Sequence, residues 1–271
     1  MSLRINNNVE AFNAHRQLVG TSAQAAKSME RLASGFRINR AADDAAGLAI
    51  SEKLRGQIGG LGQAQRNAGD GVSLVQTAEG ALAEVHSMLG RVRELAVQYK
   101  NGTLSSSDKT AIENEVTQLG TEISRIGSDT KFNGITLLSG TPTVTFQVGA
   151  DDSQTIAVTG AALYGAGSSY SVDSAIFTAF STASIANIDS AIGNVSTVRA
   201  SFGAVQNRLE HTLNNLAAYE ENLSASESRI RDVDMASEMT RFTKYQILQQ
   251  AGVSMLAQAN TAPQAVLSLL R

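Results

Sequence analysis

The sequence predicts a mainly α protein, an elongated rod of long paired coiled-coil-like helices with a small β-hairpin region in the middle of the chain. Three observations carry that expectation. Leu54, Leu61, Ala68, Val75, Leu82, Leu89 and Ala96 recur every seven residues without a miss. A helix that turns once in about 3.6 residues cannot keep such a stripe straight, so a partner has to wrap along it. The 271 residues include two prolines, Pro142 and Pro263, and the stretches flanking Pro142 are rich in helix formers such as Ala, Leu, Gln and Glu, which favours long helices. Aromatic residues make up 5% of the chain and Trp is absent, so large core-filling rings are too scarce for an ordinary compact globule.

The elements follow in order. A first amphipathic helix is expected from about Asn8 to Ser34, with Val9, Phe12, Val19, Ala23, Ala26, Met29 and Leu32 marking one face and Gly35 as C-cap. After the linker FRINRAA, Asp43 and Asp44 suit the start of a second helix. That helix runs from about Asp44 to Tyr99, about 80 Å at about 1.5 Å per residue. Ile58 and Val72 flank its stripe early, and Ala78, Val85 and Val92 flank it later. Asn101-Gly102 ends the helix, and Ser105–Asp108 caps a third whose seam is Ile112, Val116, Leu119, Ile123 and Ile126. Residues 131–160 then turn to Thr, Val and Gly. Asn133-Gly134 reads as a tight hairpin turn, and Thr143–Val148 and Gln154–Val158 read as paired strands.

Residues 160–181 are small and polar and read as a loop or reduced insert. Helical spacing returns from about Thr182 to Ser228 through Ile188, Ile192, Val195, Val198, Phe202, Val205, Leu209, Leu216 and Leu223. A last helix after Asp234 carries Met235, Met239, Phe242, Val253 and Leu256. The layout is palindromic in type: terminal helix, long helix, insert, long helix, terminal helix. Folding back at the insert sets the two halves side by side. The terminal helices have narrow apolar faces and little to shield them, and a helix takes most of its stability from packing such a face. That points to assembly with further copies.

Several classes are excluded or disfavoured. The net charge of −3 is mixed along the chain and provides no basic face for nucleic acid. Cysteine is absent, which removes disulfides and thiolate metal sites. The opening MSLRINNNVEAFNAHRQ lacks the apolar segment of a secretory signal, and no run approaches the roughly 18 apolar residues of a membrane span. Export is therefore expected by a route other than the general secretory one. His15, His86 and His211 are far apart with no ligand spacing around them, and none begins an HExxH motif. The glycines at 56, 59, 60 and 62 lie within helical periodicity with no strand before them, unlike a phosphate loop. Asp43-Asp44 is better explained by a helix start than by a metal. Three Asn-x-Ser/Thr sequons, at Asn101, Asn194 and Asn222, are what chance provides, and the Ser/Thr-rich stretch 168–184 is a candidate for O-linked sugars. No cofactor and no catalytic residue is expected.

ERLASGFRINRAADDAAGLAISEKLRGQI (Glu30–Ile58), RNAGDGVSLVQTAEGAL (Arg66–Leu82), RVRELAVQ (Arg91–Gln98), KFNGITLLSG (Lys131–Gly140), SRIRDVDMASEM (Ser228–Met239) and the final LSLLR together resemble bacterial flagellin. The resemblance implies the N-terminal half of an inner terminal-helix domain at 1–42 and of a helical rod domain at 43–140. A short β-rich insert at 141–181 follows, then the C-terminal rod half at 182–233 and the C-terminal inner half at 234–271. The larger outer domains of the family are missing. The resemblance also implies a secreted filament subunit of the extracellular flagellum, exported unfolded through the flagellar type III apparatus. Its implied partners are other flagellin subunits, an export chaperone at the C-terminal helices, and hook-associated and cap proteins.

RVRELAVQ is similar to the segment read by the flagellin-recognising Toll-like receptor, an innate immune receptor. Arg91 and Leu95 stand where that motif places its main contacts, with Glu115 on the following helix, and residues four apart share a helix face. The same residues equally suit packing between subunits. The assembly candidates are Val9, Phe12, Val19, Met29, Leu32, Met239, Phe242, Val253, Leu256, Leu269 and Leu270 on the terminal helices. The rod seam candidates are Leu54, Leu61, Val75, Leu82, Leu89, Val205, Leu209 and Leu216. Two other readings compete: a hook–filament junction protein, and a secreted coiled-coil protein of the needle-tip or translocator kind.

Overall fold

The computed structural model describes residues 7–163, 172, 175–181 and 184–269, with the backbone alone at 175 and 262–269. It is mainly helical. The helices are α1 (Val9–Ser34), α2 (Ala45–Tyr99), α3 (Ser106–Asp129), α4 (Ala175–Thr178), α5 (Ile185–Arg231) and α6 (Met235–Leu269), and the strands are β1 (Lys131–Phe132), β2 (Ile135–Thr136), β3 (Thr143–Gln147) and β4 (Thr155–Thr159). Helix α2 runs unbroken for 55 residues and α5 for 47. The chain forms two compact units. One is built from its two ends, up to Gly56 and from Asn222, and the other runs from Gln57 to Glu221.

The expected caps form. Asn8 accepts a hydrogen bond from the Ala11 N–H, and Gly35 closes α1 at φ +76°, a left-handed conformation that glycine adopts without strain. Ser105 and Asp108 form a reciprocal capping box on α3. Asp44 alone caps α2, accepting from the Gly47 N–H at 2.8 Å. Asp43 is turned instead to the linker, where it accepts from the Asn39 and Arg40 N–H groups at 3.2 and 3.1 Å. Asn133 (φ +48°) and Gly134 (φ +81°) make the two-residue turn between β1 and β2. Antiparallel β3 and β4 pair Thr143 with Thr159 through Gln147 with Thr155.

In the unit from Gln57 to Glu221, the seven-residue stripe is the core. Leu61, Ala68, Val75, Leu82, Leu89 and Ala96 are buried, as is a second series three residues on, Ala64, Gly71, Ala78, Val85 and Val92. Helix α5 returns antiparallel and buries Ile188, Ala191, Val195, Val198, Phe202, Leu209 and Leu216 at steps of three, four or seven. The flanks are stitched by Gln65 Nε2 donating to Glu220 Oε2 at 2.7 Å, Arg199 to Glu79 at 3.6 Å and Arg93 to Asp189 at 2.6 Å. Helix α3 adds Ile112, Val116 and Ile123 to the same core.

The insert differs from the expectation. Where residues 160–181 read as a small polar loop, Leu163, Val172, Ile176, Phe177 and Phe180 are buried, and α4 forms within the stretch. The intervening Ser, Gly and Ala dilute the apolar signal along the sequence. In space the five side chains join one cluster, because Gly120 of α3 leaves a notch for Phe177: a Cβ there would lie 2.5 Å from the ring. Gly60 and Gly71 do the same for the β3–β4 hairpin, admitting Ala150 and Phe146. Thr182, the expected start of the returning helix, and residues 168–171, 173–174 and 183 of the Ser/Thr-rich stretch 168–184 lie outside the described residues.

Leu82→Ala should cost about 2–5 kcal/mol by leaving a cavity in this core. Gly120→Val should cost about 1–3 kcal/mol by displacing Phe177. Urea unfolding followed by far-ultraviolet circular dichroism measures both, and a change under about 0.5 kcal/mol at either position contradicts the packing described.

Candidate assembly surfaces

The unit built from the chain ends holds an antiparallel helix pair. Asn8 Nδ2 donates to the Ala259 carbonyl at 2.7 Å, a Cβ on Gly252 would lie 3.2 Å from Leu18, and Ser28 Oγ donates to Glu238 Oε1 at 2.6 Å. The register closes with a bridge between Phe36 and Asp232. Asn8 reaches Ala259 for a chemical reason. Helix α6 continues through Pro263, which has no N–H to return to the carbonyl four residues earlier. The Asn8 amide occupies that vacant acceptor.

The least exposed positions give the seam: Ala11, Ala14, Leu18, Thr21, Ala25, Ser28 and Leu32 on α1, against Glu238, Phe242, Tyr245, Gln249, Gly252, Leu256 and Ala259 on α6. Both series alternate steps of three and four, as in a coiled coil. Their chemistry is inverted, however. Small and polar side chains dominate the inside, and only Ala25, Ser28 and Glu238 are buried. Large apolar side chains face outward: Phe12 is 69% exposed, Met255 64% and Ile247 61%. Val9, Val19, Met29, Met239 and Val253 are exposed as well, whereas Leu32, Phe242 and Leu256 are half-buried on the seam. For Leu269 the backbone alone is described, and Leu270 lies outside the described residues.

Ile247, Leu248 and Met255 escaped sequence reasoning because α6 spreads its apolar residues over both flanks. The Ser28–Glu238 pair escaped it because two polar residues 210 positions apart carry no local signal. Glu238 is 3% exposed, with Arg241 at 3.4 Å and Arg31 at 3.8 Å. A buried carboxylate must keep its partners, so Ser28 and Glu238 fix the register of α1 on α6.

The linker is held by charge. Asp43 accepts from Lys27 Nζ at 2.6 Å. That bond and the Arg40 N–H hold its carboxyl down at about 2. Arg40 pairs with Glu30 at 3.0 Å, and Arg37 donates to the Ile230 carbonyl at 2.6 Å.

Among the rod seam candidates, Leu61, Val75, Leu82, Leu89, Leu209 and Leu216 are buried, and Leu54 and Val205 are half-buried. The receptor candidates separate. Arg91 donates from Nε to Glu115 at 3.0 Å and from Nη1 to Glu94 at 3.2 Å, all on an exposed face, and these carboxylates raise its pKa. Leu95 is 1% exposed and belongs to the core. Leu95 therefore presents no apolar contact beside Arg91; it is turned into the core that α2 shares with its neighbours. Among the described residues, no group of His, Asp and Glu is placed to hold a metal, and no helix is long and apolar enough to cross a membrane.

Residues 5–143 match the bacterial flagellin N-terminal helical region and residues 185–270 the bacterial flagellin C-terminal helical region. The chain belongs to the bacterial flagellin family. It is 53% identical to a flagellin of Halalkalibacterium halodurans, over 98% of this chain and 99% of that one. It is 49% identical to a flagellin of Bacillus subtilis, over 99% of this chain and 100% of that one. Among solved structures, a putative flagellar hook-associated protein from Vibrio parahaemolyticus shares the fold, with a TM-score of 0.60 and 17% identity over 70% of this chain and 100% of that one. Flagellins are structural, non-enzymatic subunits of the extracellular flagellar filament. The relatives match end to end at nearly this length, so the lack of large outer domains is shared with these flagellins.

Because its pKa is depressed, Asp43 contributes fully above about pH 4, and that contribution disappears as the pH falls through about 2. Asp43→Asn should lower stability by about 1–2 kcal/mol at pH 6, Lys27 being partly solvent-screened. The gap from the parent should close near pH 2. Thermal melts across that range decide it, and a gap that widens on acidification contradicts the assignment.

Proposed function

We propose that this flagellin polymerises by burying the outward apolar residues of α1 and α6 against other copies. The inverted seam carries the reading. A helix pair whose seam is mostly small or polar, with Leu18, Leu32, Phe242 and Leu256 only half-buried, and which turns Phe12, Val19, Ile247 and Met255 outward leaves much apolar surface unburied by its own contact. It gains about 25 cal/mol for each Å² of apolar surface it buries elsewhere. Contacts between copies are heterologous, one face meeting a different one, because that geometry alone extends without closing. In this reading 1–42 and 234–271 form the inner domain, 43–140 and 182–233 the rod, and 141–181 the insert.

A weakly sealed terminal pair also suits a chain secreted unfolded through the flagellar type III apparatus. The exposed face of α6 suits capture by an export chaperone before assembly. The filament ends would meet hook-associated and cap proteins through the same helices. For the free subunit we propose recognition by the flagellin-recognising Toll-like receptor through the exposed Arg91–Glu115 pair, with Leu95 supporting α2 from beneath.

Removing residues 1–35 or 235–271 should leave a soluble, helical protein that cannot elongate filament seeds, as seen by negative-stain microscopy; filaments from either truncation would refute the mechanism. Arg91→Ala should weaken receptor activation by the monomer without altering its melting temperature, whereas Leu95→Ala should lower both. Undiminished potency of Arg91→Ala removes the receptor assignment.

A further inference from the structure

The chain has six methionines, and their placement is uneven. Met88, in the unit from Gln57 to Glu221, is partly buried against the hydrophobic core. Met29, Met235, Met239 and Met255, all in the unit built from the chain ends, are large exposed hydrophobics at 56%, 48%, 50% and 64%. Met1 lies outside the described residues. The hydrogen bond between Ser28 and Glu238 sets the residues that follow them, Met29 and Met239, at the same level of the antiparallel pair. Met235 lies one turn away on α6.

We propose that these four methionines are a peroxide-sensitive modification site whose oxidation stops the subunit from polymerising. The inference rests on the polymerisation reading above. In the free subunit each of these side chains is exposed, which leaves its thioether within reach of a peroxide in the solvent. Its lone pair attacks one oxygen of a hydroperoxide, the O–O bond breaks, and the other oxygen leaves as water (or as an alcohol from an organic peroxide) once protonated. The sulfur loses two electrons, the peroxide gains them, and one oxygen stays on the side chain as a sulfoxide. A flexible apolar group has become a polar one. Packing it against another copy then strands an S=O group away from water, which burial penalises. Nothing in the core of the second unit changes, because Met88 is packed there. Oxidation thus disables assembly without unfolding the protein, and subunits already packed in a filament are shielded.

The test uses the full-length chain, limited hydrogen peroxide, peptide mass mapping and seeded elongation. Mapping should show a gain of one oxygen at Met29, Met235, Met239 and Met255 well before Met88. Elongation should fall about tenfold with the far-ultraviolet spectrum retained, and methionine sulfoxide reductases acting on both sulfoxide epimers should restore it. A Met88→Leu chain should lose elongation to peroxide just as the parent does. Oxidation of Met88 at the same rate as the four overturns the site assignment. Undiminished elongation with all four sulfoxides in place, or a loss that reduction does not reverse, overturns the functional claim. Failure of the untreated chain to elongate seeds overturns the polymerisation reading instead; mapping still reads the site.

Discussion

An apolar stripe running the length of a 55-residue helix can be kept from water only by other helices lying along it. That constraint governs the unit from Gln57 to Glu221. It makes α5 return antiparallel and makes α3 fold back beside α2. It also explains why the buried stripe of α2 is built of Ala, Val and Leu: a seam shared by long helices is narrow, and small side chains fill it. The insert and the β3–β4 hairpin then attach where glycine leaves room, at Gly60, Gly71 and Gly120.

The chain ends follow the opposite rule. There small and polar residues make up most of the seam, and many of the bulky residues are turned out. The same spacing of threes and fours serves two purposes in one molecule: a dry seam within the chain, and a light seam that displays its apolar side chains. Polar keys set the register of the second kind. Ser28 with Glu238, Asn8 with the Ala259 carbonyl, and Asp43 with Lys27 each leave a desolvated or unpaired group if the helices or the linker shift.

Much of this was legible in the sequence. The heptads from Leu54 to Ala96 predicted α2 almost to the residue, and Ser105 with Asp108, Asn133 with Gly134, and Gly35 marked their turns and caps. These are local signals, with cause and effect within a few residues. What escaped was settled at a distance. Leu95 lies four residues from Arg91 but is buried in the core, which no i, i+4 rule anticipates. Phe177 looked like part of a polar loop because its partner is a glycine some 57 positions earlier. The α1–α6 seam was hidden because small and polar residues interrupt its few large apolar ones. Spacing marked residues of both faces, Phe12 and Val19 outside and Leu32, Phe242 and Leu256 on the seam, and only the fold separated them.

The bond from Asn8 to Ala259 has a consequence for the life of the chain before it is complete. The residue that completes the broken carbonyl ladder of α6 lies at the opposite extremity of the polypeptide, and the ribosome makes it some 250 residues sooner. Until the last stretch emerges, neither extremity has its counterpart. A nascent or prematurely terminated product that stops short of Ala259 therefore lacks the closing amide contact.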